Sequence, residues 1–340
     1  MDPFAQRKRG AIACRDLAAG ALALSLIGAD ACAQSVARDA AAGFPNRPIR
    51  LVLLVAPGGG SDAMARTIAP RLSENLGQQV LVDNRPGAGG IIGSDIVAKA
   101  TPDGYTIMLA TVRHSVNPSM YNKLPYDTVK DFEPVTMAAM FDSVLVVNPK
   151  APLNSVSELI ALAKQKPGEL TFASSGAGGG PHLIGEFFAL NTGIKLTHIP
   201  YKGGGPAITD LIAGNVSMSF ATMSSTLAFI RSGRLRALAV VSQQRSSQLP
   251  DVPTMAEAGV PNIVVRDWLA VLAPHGTPKP IIDKLAAEFG RILKDPNNRE
   301  RFAALGVEIV ASSPNELREA IASDIPRWAK VVKAANIKPE

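Results

Sequence analysis

Cysteine is almost missing from this chain of 340 residues, which carries only Cys14 and Cys32, both near its N-terminus. Neither falls in the body of the chain, so no disulfide framework, thiol nucleophile or cysteine metal site is available there. Histidine is just as thin. His114, His182, His198 and His275 are scattered, with no HExxH and no pair at i, i+4, which removes the usual zinc-hydrolase arrangements. No GxSxG elbow occurs, and no neighbouring sequence supplies a general base for Ser174 or Ser175, so a hydrolase reading has nothing to stand on. Aromatic residues make up 5% and no basic run is interleaved with them, which argues against nucleic acid as a partner.

No apolar run reaches the roughly 20 residues a spanning helix needs. The longest near the start, 17–29, follows Arg7, Lys8 and Arg9 and ends at Ala31-Cys32-Ala33, the basic, apolar, small-residue order of an export signal. Residues 1–33 are therefore expected to be a signal peptide cleaved after Ala33, leaving a periplasmic protein; lipidation at Cys32 stays open, with Asp30 against it. That segment holds four Lys/Arg and three Asp/Glu, so its loss moves the formal charge from +6 to +5. A mildly basic surface favours anionic small molecules. With 46% hydrophobic residues, the remainder can bury a large core without cross-links.

Glycine is what the chain does have. Four glycine-rich turns, 56–62 (APGGGSD), 85–90 (RPGAGG), 174–182 (SSGAGGGPH) and 201–206 (YKGGGP), each join a strand-like run to a helix-like one. Glycine lets backbone N–H groups approach a ligand, and a helix N-terminus carries about half a positive charge, so each turn reads as an anion cradle. Strand runs at 49–55, 80–82 and 105–110 alternate with helical runs at 62–76 and 90–100, and the pattern breaks over the polar, proline-bearing stretch 117–132. A second such unit runs from 143 to 241. A proline-rich return at 242–261 leads to a strand at 268–272 and helices at 280–293, 297–304 and 314–335. This order predicts α/β architecture with mostly parallel sheets and ligands beyond the C-terminal strand ends. Gly87-Ala88-Gly89 with Gly93 approaches a dinucleotide fingerprint, but Asp103, the acidic residue it needs, sits in a turn and not at a strand end. Asp62 is expected to cap or orient the first helical turn.

Taken in order, FPNRPIRLVLLVAPGGGSD, NRPGAGGIIG, DGYTIMLAT, SSGAGGGPHLIGEFF, HIPYKGGGPAITDLIAGNV, GRLRALAVVS, LPDVPTMAEAGVP and APHGTPKPI resemble the tripartite tricarboxylate transporter substrate-binding proteins, the Bug family of extracytoplasmic solute receptors. The resemblance implies a fold like type II periplasmic binding proteins, with domain I at 44–138 plus 247–340, domain II at 139–246 and a ligand cleft between them. It implies a monomer that captures a small organic carboxylate, delivers it to membrane permease subunits and needs no cofactor, metal or catalytic residue. Carried over position by position, the ligand-facing residues would be Gly58, Gly59 and Ser61; Gly87, Ala88 and Gly89; Ser174, Ser175, Gly176 and Ala177; and Tyr201, Lys202 and Gly203. His182 is either a structural or a lining residue. Two departures from the family pattern stand out. Thr111-Val112-Arg113-His114 brings a guanidinium towards the cleft, either to clamp a second carboxylate or to lie in solvent, and Ala221 replaces an acidic residue often found there. The latter favours di- or tricarboxylates, or aromatic acids, over amino acids. A ligand-presenting sensor and an exported α/β enzyme are the alternative readings.

Overall fold

The computed structural model describes residues 43–261, 263, 266–304 and 306–337; the expected export segment 1–33, both cysteines and residues 34–42 lie outside them. The chain begins with β1 (Ile49–Leu53), α1 (Gly60–Leu76), β2 (Val80–Asn84), a short 3-10 turn at Ala88–Gly90, α2 (Ile91–Ala98), β3 (Thr106–Thr111), α3 (Arg113–Met120) and β4 (Phe132–Phe141). Past Asp142 it builds β5 (Ser143–Val147), α4 (Val156–Gln165), β6 (Thr171–Ser174), α5 (Gly180–Thr192), β7 (Thr197–Pro200), α6 (Gly204–Ala213), β8 (Met218–Thr222), α7 (Met223–Arg231) and β9 (Arg236–Val241). It then returns for β10 (Asp267–Pro274), α8 (Lys279–Lys294), α9 (Pro296–Ala304), β11 (Val307–Ile309) and α10 (Pro314–Ala334).

These strands form two sheets, ordered β11-β4-β10-β3-β1-β2 and β7-β6-β8-β5-β9. The protein is a two-domain α/β molecule, and we call the units built on the first and second sheet lobe I and lobe II. Both sheets are mixed, which corrects the expectation of mostly parallel ones. The βαβ units do give parallel pairs, β2-β1-β3 and β7-β6-β8. The strands that carry the chain between lobes cannot follow that rule. β4 leaves lobe I and β10 re-enters it, while β5 enters lobe II and β9 leaves it, so each of these pairs is antiparallel. Pairing with β10 keeps β4 in the first sheet as far as Phe141, so the first crossing falls at Asp142, beyond residue 138. The second lies between Val241 and Asp267. Arg266 and Asp142, one at each crossing, pair at 3.3 Å.

Burial explains the apolar strand runs. Along β1, Ile49, Leu51 and Leu53 face a core shared with α1 and α8, whereas Val52 packs into the core on the opposite face with Met108, Ala270 and Leu272. A sheet covered on both faces needs apolar residues at successive positions. The amphipathic stripe of α10 puts Leu317, Ile321, Trp328 and Val332 in that second core, which runs on into lobe II through Ala177, Phe172 and Leu145.

Polar residues and Pro118 made 117–132 read as an interruption. In the structure α3 occupies its start and carries Pro118 inside it. That helix places Arg113 at the end of β3, where the chain turns towards the second lobe.

Candidate functional site

Helices differ in how their first turns are satisfied. Away from the cleft, α4 and α10 have serine N-caps, Ser155 accepting from Glu158 N–H and Ser313 from Glu316 N–H. By contrast α1, α5 and α6 have Gly59, Gly179 and Gly203 as N-caps and no side-chain cap. Glycine there supplies no side-chain cap of its own and leaves the first-turn N–H groups, with their partial positive charge, to whatever faces them. Residues at the starts of all three helices line one cavity between the lobes.

The turns oppose one another in pairs. A methyl on Gly59 would sit 3.6 Å from Gly204 N, and one on Gly58 3.9 Å from Gly205 Cα, so the first and fourth turns meet backbone to backbone. Ala56 N–H donates to Lys202 O across this seam at 3.0 Å. The second and third turns meet likewise, with the Cβ site of Gly89 3.7 Å from Ala177 O. Gly60 is tighter still: a methyl there would stand 2.4 Å from Ser224 Oγ and 3.3 Å from Thr222 Oγ1 of lobe II. Bare backbone at these positions is what lets the lobes close.

The cavity between the lobes has a volume of about 50 Å³. At roughly 10–15 Å³ of probe-occupied volume per water, that holds a few water molecules, so an acid of several carbons enters only when the lobes part. A larger groove of about 740 Å³ lies on the outside of lobe I among Arg71, Glu74, Arg291 and Arg301; it is wide open and no helix N-terminus of the glycine turns reaches it.

Of the residues singled out from the sequence, Gly59, Ser61, Thr111, Arg113 and Ser175 line the cavity. Arg113 is buried, and its guanidinium donates to the carbonyl of Ser175, to Gly176 O at 3.0 Å and to Ser175 Oγ at 3.2 Å, reaching from lobe I to the third turn of lobe II. Gly176, at φ +110°, holds its carbonyl in a conformation that a side chain rarely allows.

Several others form the walls behind. Gly58 N–H is held by Asp62, whose carboxylate also takes Asn84 and Arg66. Burial opposes charge on Asp62, but Arg66, the Gly58 N–H and Asn84 outweigh it and hold the carboxyl below its ordinary range. Gly87, Ala88 and Gly89 do not line the cavity; Gly89 borders the seam with buried Ala177 beside it, and Gly87 packs against Ile92 of its own lobe. Ser174 Oγ bonds His198 Nε2 at 2.6 Å and receives Gly176 N–H. His182 accepts Gly178 N–H and stacks on His198, with ring centroids 3.8 Å apart. Tyr201 donates its hydroxyl to Asp210, the Lys202 carbonyl is taken by Ala56 N–H, and Gly203 packs against Ala56. His114 faces the lobe I interior, against Tyr126 and Phe132.

Sequence reasoning passed over Gly60, Gly179, Gly204, Thr222, Ser225 and Asp267, all of which line the cavity. The glycines were visible within their turns. Asp267 carried no signal, because only the return crossing from lobe II brings it beside Val112.

Burial pushes the imidazole of His114 down to about 4, with Thr128 O opposing, and burial with His182 and Arg113 pushes His198 down to about 3. Both rings are neutral when folded and charge more easily when unfolded. Their stabilising contribution is complete above about 6.5 and is lost as pH falls from there towards 3–4. The double variant His114→Gln, His198→Gln is expected to show a flatter acid limb than wild type in urea melts run from pH 7 to 4; an identical slope would mean neither ring is excluded from protonation.

A family model for the tripartite tricarboxylate transporter family receptor matches residues 64–337. The chain belongs to this receptor family. BugT of Bordetella pertussis is 44% identical over 297 residues, spanning 87% of this receptor and 91% of BugT. Among solved structures, R. palustris Rpa4515 with adipate is similar at a TM-score of 0.84 and 36% identity, covering 87% of this receptor and 100% of that chain. The periplasmic binding protein BugD matches at a TM-score of 0.84 and 35% identity over the same shares.

Proposed function

We propose that this receptor works in the periplasm as a monomer, closing its lobes over a small organic acid with at least one carboxylate and handing it unchanged to the membrane subunits of a tripartite tricarboxylate-type transporter. The observation that carries this reading is the convergence of three uncapped helix N-termini, α1 from lobe I and α5 and α6 from lobe II, on a cavity beside Arg113. An anion in that cavity accepts N–H groups from both lobes. A ligand shifts the open and closed populations only through its different affinity for each, and contact with both lobes supplies that difference. The two crossings at Asp142 and between Val241 and Asp267 are the natural hinges.

Adipate in a relative of 36% identity supports a dicarboxylate as the first guest to try. Ala221, in the cavity wall, offers no charge to an ammonium group, which favours simple acids over amino acids. The test is a thermal-shift and calorimetry panel of mono-, di- and tricarboxylates and aromatic acids on the mature protein. A guest at 100 times its dissociation constant should stabilise the fold by about 2.7 kcal/mol, and mass spectrometry should recover it unaltered. A panel with no shift overturns the ligand class, and a converted guest overturns the receptor role.

A further inference from the structure

The cavity already contains a carboxyl group of the protein's own. Asp267 opens β10, lines the cavity and is buried. Its Oδ1 accepts Val112 N–H at 3.3 Å, and the N–H groups of Trp268 and of Gly180, the first residue of α5, favour its charged form. A methyl on Gly180 would stand 2.9 Å from Asp267 Cβ and 3.0 Å from its Oδ2. A lobe I carboxylate is thus seated on the N-terminus of a lobe II helix, in the place an entering anion would be drawn to.

We propose that Asp267 is a specificity-determining residue of the cleft: a carboxylate guest binds there together with one proton, which it shares with Asp267. The inference rests on the cavity being the carboxylate site. Two carboxylates confined within hydrogen-bond reach cannot both stay ionised, so the pair holds one proton between them. The proton comes from solvent as the lobes close and returns on release; no bond changes other than that O–H.

The surrounding charges favour this outcome. Arg113 of α3 also lines the cavity and acts on Asp267 through its charge, while its Nη2 donates to Ser175 and Gly176. His182 of α5 is occupied by Gly178 N–H and lies 3.5 Å from Glu186. Arg266, adjacent in the chain, pairs with Asp142 and Glu308. Burial raises Asp267 to about 6, outweighing its N–H donors and Arg113, so the empty site is already prone to take the proton.

Calorimetry of the full mature protein decides this, with succinate, malate, adipate and citrate as probes, in buffers of differing ionisation enthalpy at pH 5, pH 7 and pH 8. Wild type should take up close to one proton per guest at pH 8, and its affinity should fall about tenfold per pH unit above about 6. Asp267→Asn should take up none at pH 8, and its affinity should be flat from pH 7 to pH 8, where the probes are ionised and wild type still falls. Flat affinity without proton uptake in wild type overturns the inference, as does uptake that persists in Asp267→Asn, and either result leaves the receptor reading intact. If the variant does not fold, the wild-type proton count alone decides. Should no probe bind at any of these pH values, the carboxylate reading itself falls and takes this inference with it.

Discussion

Arg113→Ala is expected to leave the lobes apart and to weaken acid binding by roughly 100-fold, because it removes a set of charge-assisted hydrogen bonds at about 1.5–3 kcal/mol each that exist only when the lobes meet. Its guanidinium is anchored in lobe I by α3 and donates to Ser175 and Gly176 of lobe II. Both carbonyls belong to a turn that the open form would carry away. Small-angle scattering should show a larger radius of gyration for the variant without ligand, and calorimetry the loss of affinity. Arg113→Lys should recover only part of this, since the bonds to both carbonyls leave one nitrogen, Nη2, at the far end of a side chain longer than lysine's. Unchanged scattering and affinity would show that the lobes close without this side chain.

Gly60→Val carries the second large effect. The new side chain begins where only 2.4 Å separates the Cβ position from Ser224 Oγ, and Thr222 Oγ1 blocks the way round at 3.3 Å. Overpacking a tight contact costs about 1–3 kcal/mol, which falls entirely on the closed form and predicts a loss of about 10–100-fold in affinity. Lobe I should fold as before, because Gly60 is the first residue of α1 and the clash is with the other lobe. Gly60→Ala is the graded control: Ser224 can turn its hydroxyl aside, so the loss should be smaller. An equal drop in melting temperature and affinity would instead locate the damage within lobe I.

Much of the site could be read before any coordinates because its chemistry is local. Strand, glycine turn and helix follow one another within about ten residues, and the runs at 49–55 and 62–76 appear as β1 and α1, with Gly77 ending the helix in the left-handed conformation. What escaped notice depended on distant partners. β4 contains Pro134 and β11 is three residues long, so neither has a strong pattern of its own, and both exist because β10 or β4 lies alongside. The polar helix α3 was hidden in the same way, since its burial comes from α10 and the second turn.

Arg113 shows the difference at one residue. Its position after the DGYT strand marked it as a cleft residue facing either a guest or solvent, and the structure gives it a third role as a bridge to the opposite lobe. The glycines tell the same story. Their number and spacing pointed to close backbone approach, and half of what approaches is the facing turn of the other lobe.

By itself, then, the order of residues determined the α/β class, the turn positions and the family, since propensity, capping and motif spacing act over a few neighbours. The tertiary structure alone decided which turns face each other, that Asp267 sits on the start of α5, and that the cavity is small. Those facts arise where chain segments far apart in sequence cross between two sheets, and no local pattern encodes such a meeting.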